Sequence, residues 1–258
     1  MSAAKKPQLS DCEIEAFGRD GYIVMDRPVF DDEKFARLQE MADTKFAAQD
    51  GHPQLIDCPH WKDPVMFDWI FADELLDLVE PLTGPDIAVF ASHFLRKTAD
   101  QGHRVPWHED SAYWDGRLTP MEVVCVNLAL SPSTEENGCM RVIPGTHRHG
   151  YSDYQDVPDA GEVVFHLEID PDQVDETGAV DLVLEPNQLS VHDVRLIHGS
   201  RASTSSECRM LFAVRYIPAR VTYNRQQDES FPTFLARGSD AGGGHDDGPM
   251  KAWLGDLD

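Results

Sequence analysis

The stretch "VPWHEDSAYW", residues 105–114, sets His108 and Asp110 two positions apart among bulky aromatic side chains. Side chains at i and i+2 of an extended strand point to the same side, so an imidazole and a carboxylate here converge on one point. Two donors do not make a metal site, and a third must come from elsewhere in the chain. Among the 11 histidines, His147 and His149 lie in the turn sequence "PGTHRHG", where an exposed histidine needs no special role. His192 and His198 lie in "SVHDVRLIHGS", six residues apart, and would share a face in an uninterrupted strand. Gly199 and Ser200 follow His198, as if a strand ended there at a mouth.

Two neutral imidazoles and one carboxylate on one face of an octahedral ion leave three positions open, the arrangement that suits Fe(II) oxygenase chemistry. A bidentate 2-oxo acid takes two of these positions and dioxygen the third. The far carboxylate of such a co-substrate calls for a forked cation, which arginine supplies better than lysine. Arg209 comes 11 residues after His198, within reach of one short turn, and Ser200 adds a hydroxyl; Arg201 and Arg215 compete for the same task. Two other classes stay open on these residues. A cupin-like metalloenzyme without 2-oxoglutarate would keep the three ligands and have no use for Arg209 and Ser200. A non-catalytic ligand-binding β-sandwich would use the histidines structurally.

The elements that must position these groups fall into two textures. Ser10 caps a short helix, "DCEIEAFGRDG", ahead of a β-like run, "YIVMDRPVF". "DDEKFARLQEMADTKFAAQ" has acids in its first turn and apolar residues at helical spacing. "ADELLDLVEPLTG" reads as a helix stopping near Pro81 and Gly84. From about residue 86 come short segments rich in β-branched and aromatic residues, separated by Gly, Pro, Asn and Ser turns: "DIAVFASHFLRK", "EVVCVNLALS", "GCMRVIPGTH", "GEVVFHLEI", "DLVLEPNQLSVHDV" and "CRMLFAVRYIP". The pattern predicts one mainly β domain with flanking helices over 1–258: helices in about 10–85, a β-sandwich or barrel core in about 86–218, and a C-terminal extension over 219–258. In that extension "GSDAGGGHDDGPM" reads as a flexible loop or tail.

Composition narrows the function. Hydrophobic residues make up 41% of the 258, enough for a packed core. No apolar run approaches the roughly 18 residues of a membrane span, and the stretch "MSAAKKPQLSDCEIEAF" has no apolar segment of a secretory signal. Five cysteines without metal-like pairing argue against a disulfide framework and for a reducing cytoplasm. Acids outnumber Lys and Arg by 46 to 22, for a net charge of −24. That disfavours nucleic acid, which needs a basic footprint. With Glu109 and Asp115 beside the metal-ligand candidates, it also suggests an acidic mouth and a cationic or amine-bearing small-molecule substrate.

"WHEDSAYW", "ALSPSTEENGCMRVIPGTHRHG" and "IHGSRASTSSECR", with a weaker match at "FLRK", resemble the phytanoyl-CoA dioxygenase family of Fe(II)/2-oxoglutarate oxygenases, which also includes ectoine hydroxylases. The resemblance spans about residues 86–218. It implies a double-stranded β-helix (jelly-roll, cupin-like) core and a hydroxylase that consumes 2-oxoglutarate and O2. On this pattern His108, Asp110 and His198 bind iron, Arg209 and Ser200 hold the distal carboxylate of 2-oxoglutarate, and Lys97 is a basic residue near the pocket. Asn127 lies on a strand expected to line the barrel, beside co-substrate or substrate. Trp107, Glu109, Tyr113, Trp114 and Arg215 are candidates for touching substrate. Halogenases on this scaffold have a small residue where Asp110 stands, so the acid favours hydroxylation or another two-electron oxidation. No basic patch for an acyl-CoA is visible, and an acyl-CoA substrate is not expected.

Overall fold

A computed structural model describes residues 8–50, 54–99, 102–157, 163, 165–226 and 231–246. In chain order the elements are α1 (Asp11–Asp20), β1 (Tyr22–Met25), α2 (Asp32–Ala47), β2 (Leu55–Asp57), α3 (Phe67–Ile70), α4 (Asp73–Thr83), β3 (Ile87–Lys97), β4 (Val105–His108), α5 (Asp110–Trp114), β5 (Leu118–Thr119) and β6 (Val124–Ala129). They continue with β7 (Met140–Val142), β8 (Tyr154–Asp156), β9 (Leu167–Ile169), β10 (Val180–Leu182), β11 (Leu189–Asp193), β12 (His198–Ser200), β13 (Arg209–Pro218), β14 (Thr222–Tyr223) and β15 (Phe234–Arg237).

A large sheet runs β1-β11-β6-β13-β3-β15, with β2 added to β3, and a smaller one runs β10-β7-β12-β4. The pairings within both are antiparallel. Two antiparallel sheets with helices on the outside of the larger one make the jelly-roll that the strand pattern predicts.

Period-two alternation divides the large sheet into a packing face and a chemical face. Val124, Val126 and Leu128 of β6, Leu189 and Val191 of β11, and Phe212, Val214 and Tyr216 of β13 join one buried cluster with the apolar stripes of α2 and α4. In α2 that stripe is Phe35, Leu38, Ala42 and Phe46, at helical spacing. The intervening residues Cys125, Asn127, His192, Arg209 and Arg215 are buried on the other side of the same strands.

The helix starts follow their caps. Ser10 and Glu13 form a reciprocal capping box on α1, and the Asp31 side chain accepts from the Lys34 N–H at the start of α2. Helix α4 runs through Pro81 to Thr83 and ends at Gly84, where the sequence suggested it stops. Pro81 sits in its last turn, where one missing N–H costs a single bond and not the helix.

The β-like run after α1 supplies β1 as its pattern suggested, and the flanks add two strands that the texture did not indicate: β2 before residue 86 and β15 after residue 218 both pair into the large sheet. The described part of "GSDAGGGHDDGPM" is tied down: the Asp240 carboxylate accepts N–H bonds from Gly242, Gly243, Gly244 and His245. Residues 247–250 of that segment lie outside the described residues.

Candidate active site

The two sheets face one another across a pocket of about 770 Å³, open mouth included. On the small sheet, His108 at the end of β4 and His198 at the start of β12 are register partners, with ring centroids 4.1 Å apart. Asp110 is the first residue of α5 and not part of a strand, but Glu109 before it is extended (φ −114°, ψ 128°), so the alternation carries one step past β4. Asp110 Oδ1 lies 3.6 Å from His108 Nε2 and 3.9 Å from His198 Nε2. Both separations are too long for hydrogen bonds, and the three donor atoms converge on a common space.

The outer nitrogens of both rings are tied to main chain. His108 Nδ1 donates to the Pro106 carbonyl at 2.8 Å and His198 Nδ1 to the Leu196 carbonyl at 2.9 Å. Each Nε2 therefore turns a lone pair inward, the tautomer a metal-ligating imidazole needs. Burial lowers the His198 pKa to about 4, so this ring stays neutral. Burial alone would raise the Asp110 pKa, but the Arg215 guanidinium, 3.0 Å away, holds it well below the usual carboxylate range. Arg215 Nη2 and Cys125 Sγ both reach Asp110 Oδ2, at 3.0 and 3.6 Å, which leaves Oδ1 to face the histidines. The donor set is two imidazoles with inward Nε2 atoms and a pinned carboxylate, and it fits a divalent ion such as iron(II).

The opposite end of the pocket is cationic. Lys97 and Arg209 are register partners on β3 and β13. Lys97 Nζ donates to Ser200 Oγ at 2.7 Å and to the Arg201 carbonyl at 2.6 Å, while Arg209 donates to the Gly138 carbonyl. Burial, and then the neighbouring Arg209, lower the Lys97 pKa to about 6; burial lowers Arg209 to about 10. Among the described lining residues the single acid is Asp110, at the other end. Arg209, with the titratable Lys97 next to it and no acid beside either, forms a site for an anion, whose arrival would charge the lysine.

His108, Asp110, His198, Ser200, Arg209, Lys97, Asn127 and Arg215 all line the pocket. The other substrate candidates do not. Trp107 stands over Arg141 at 5.2 Å, against the isoleucines of a separate cluster. Glu109 is turned away by the same alternation that turns its neighbours in: its Oε1 accepts from Ser152 Oγ at 2.6 Å. Trp114 packs edge-on against Phe90 at 4.8 Å, within a second core cluster. Tyr113 lies edge-on to His108, with centroids 6.0 Å apart, and is not part of the lining. Asp115 is exposed and also outside it. The described lining carries the basic side chains Lys97, Arg209 and Arg215, the last paired with the single acid Asp110, where the sequence suggested an acidic mouth; Arg96 turns the other way and stacks on Phe46 of α2.

Two further points depart from the sequence reading. His192 and His198 do not share a strand but lie on β11 and β12, in different sheets, with rings 4.7 Å apart. Arg209 does not return beside β12 through a tight turn; it reaches the site from the large sheet. Sequence reasoning also missed Phe165, whose ring is 5.3 Å from that of His108, and the mouth residues Gln54 and Leu55.

A jelly-roll carrying two histidines and an aspartate across the mouth from a buried cation pair has the layout of a metal-dependent oxygenase. The profile of the phytanoyl-CoA dioxygenase (PhyH) family matches residues 17–211, and the chain belongs to that family. The peroxisomal phytanoyl-CoA dioxygenase of Bos taurus is 29% identical over 167 residues, covering 63% of this chain and 49% of that protein. The chain thus spans about half the length of such relatives. An ectoine dioxygenase of Sphingopyxis alaskensis is 25% identical over 259 residues, covering 89% of this chain and 83% of that protein. Among solved structures, EctD from S. alaskensis with 2-oxoglutarate and 5-hydroxyectoine superposes with a TM-score of 0.70 at 24% identity, covering 86% of this chain and 81% of that one. At that identity the likeness speaks for the fold.

Proposed function

We propose that the chain is an Fe(II)- and 2-oxoglutarate-dependent dioxygenase that hydroxylates, or otherwise oxidises, a small polar molecule in the biosynthesis or tailoring of a metabolite. One observation carries the reading: a single pocket holds a metal-ready His/Asp cluster at one end and acid-free buried cations at the other. A 2-oxo diacid is the ligand that needs both. A cupin-like enzyme without that co-substrate gives Lys97 and Arg209 no work, and a non-catalytic sandwich does not explain the inward Nε2 atoms.

His108 and His198 would offer Nε2 to the metal, and Asp110 would offer Oδ1 while Arg215 and Cys125 hold Oδ2. Lys97, Arg209 and Ser200 would bind the distal carboxylate of 2-oxoglutarate. Leu95, Leu211 and Phe165 would keep the space between dry. Bound iron(II), with 2-oxoglutarate and dioxygen, supplies the oxidant, the 2-oxo acid leaving as succinate and carbon dioxide. Asp110 occupies the position that a halogenase leaves to its halide, which favours hydroxylation or another two-electron oxidation over halogenation. The expectation of an amine-bearing substrate rested on the net charge of −24 together with Glu109 and Asp115, and neither residue is part of the described pocket lining.

The test is anaerobic addition of Fe(II) and 2-oxoglutarate, watching for the weak visible charge-transfer band, followed by a screen for substrate-stimulated succinate release. Iron binding without that band would end the reading.

A further inference from the structure

His192 has no part in the arrangement above, although it is fully buried and lines the same pocket. It pairs in register with Cys125, and Cys125 pairs with Arg215. Three polar side chains from β11, β6 and β13 thus stand abreast behind Asp110. Cys125 and Arg215 both bond Asp110 Oδ2. His192 is engaged differently. Its Nδ1 lies 3.3 Å from Asn127 Nδ2, an amide that donates, so the ring proton belongs on Nε2. That Nε2 is buried and has no partner.

A buried donor left unpaired is costly, and such orphans in native structures call for a ligand or ordered water. The anion that the pocket is built for must run from the His/Asp cluster to the Lys97–Arg209 pair. Its path follows the inner face of the large sheet, past His192 and Asn127. A carboxylate oxygen at the metal end of that path is an acceptor, and a charge-assisted bond to it is the stronger kind. A third metal-binding imidazole would need a bare Nε2, which the Asn127 contact argues against.

We propose that His192 is a co-substrate-binding residue whose Nε2–H donates a hydrogen bond to the metal-side carboxylate of 2-oxoglutarate. This rests on the dioxygenase reading above. The experiment is an anaerobic titration of 2-oxoglutarate into the Fe(II)-loaded protein, read by the charge-transfer band, with Fe(II) affinity measured separately by chelator competition. His192→Phe keeps the ring's bulk and removes the donor, whereas His192→Gln keeps an N–H near the Nε2 position. His192→Phe should weaken 2-oxoglutarate binding about tenfold or more, with Fe(II) affinity held within about threefold and His192→Gln within about threefold of the parent. Unchanged 2-oxoglutarate affinity in His192→Phe overturns the proposal, as does loss of Fe(II) affinity, which would make His192 a metal ligand. If His192→Phe does not fold, the Nε2–H resonance of the Zn(II)-loaded parent decides: it should move on adding 2-oxoglutarate, and an unmoved signal refutes the bond. A parent protein that binds iron and gives no band sinks the dioxygenase reading itself.

Discussion

Docking of 2-oxoglutarate should take up a proton, and Lys97 is the reason. In the free pocket, burial and Arg209 bring its pKa to about 6, and its two hydrogen bonds, to Ser200 Oγ and the Arg201 carbonyl, are ones a neutral amine can make. At pH 8 a group with a pKa near 6 is protonated in about one molecule in a hundred. A carboxylate placed against Lys97 and Arg209 favours the ammonium form and moves the pKa back toward its ordinary value of about 10.4. Binding at pH 8 should therefore absorb between about half a proton and one proton per 2-oxoglutarate. The sign for affinity follows. The form that binds best is protonated, so affinity is flat below about pH 6 and falls above it, by at most about tenfold per pH unit. Calorimetry in phosphate and in Tris, whose ionisation heats differ widely, gives the proton count directly. Lys97→Met should abolish the uptake while leaving Arg209 to hold a weakened ligand. Proton uptake near zero at pH 8, or uptake persisting in Lys97→Met, would refute the reasoning.

Other consequences follow from the same geometry. Arg209→Leu removes a buried cation from the anion's end of the pocket, so the 2-oxoglutarate Kd should rise by about 2–5 kcal/mol, roughly 30-fold or more; an unchanged Kd, with a large change in Arg215→Leu, would move the anchor to Arg215. Arg215→Met leaves Asp110 buried beside Cys125 without its cation, and the metal-free protein should lose about 3–5 kcal/mol of stability in urea. A bound divalent metal should restore much of that loss, and an equal loss with and without metal contradicts the assigned role. Asp110→Ala should abolish high-affinity Fe(II) binding, measured by equilibrium dialysis, and full retention would remove Asp110 from the donor set. His198 is buried neutral with its pKa lowered to about 4, and burial likewise lowers His60 to about 3. Their contribution is present above the unfolded value of about 6.5 and is lost as pH falls toward the folded values, by up to about 1.4 kcal/mol per unit per histidine. Metal-free protein equally stable at pH 7 and pH 5 would contradict this.

The chain disclosed most clearly what depends on short-range spacing. His108 and Asp110 meet because one extended residue between them preserves the alternation, although only the first lies in a strand. The same rule, applied one position out of step, places Glu109 on the far side against Ser152. Trp114 follows in the short helix and not in a strand, so its ring goes to Phe90 and the core. What could not be read was set by register between distant strands. Arg215, Cys125 and His192 become neighbours only because β13, β6 and β11 pair in one alignment, and no local pattern encodes that row. β15 escaped notice similarly, since four residues after a break in texture become a strand only once β3 offers its edge.

Charge shows the same division between what a chain totals and what a fold encloses. A net charge of −24 is a sum over the chain, dominated by side chains in water. The pocket samples a handful of inward positions, and the basic ones on β3 and β13 are Lys97, Arg209 and Arg215. Exposed acids are screened within about 10 Å at 0.1 M salt, whereas the buried cations act at short range in a poorly screened space. The overall acidity argued for a cationic substrate, while the enclosed basic groups are placed for the anionic co-substrate. The same contrast explains why such cations can be kept in so acidic a protein: each is given a definite partner or vacancy, Arg215 on Asp110, Lys97 and Arg209 around the place an incoming carboxylate must take.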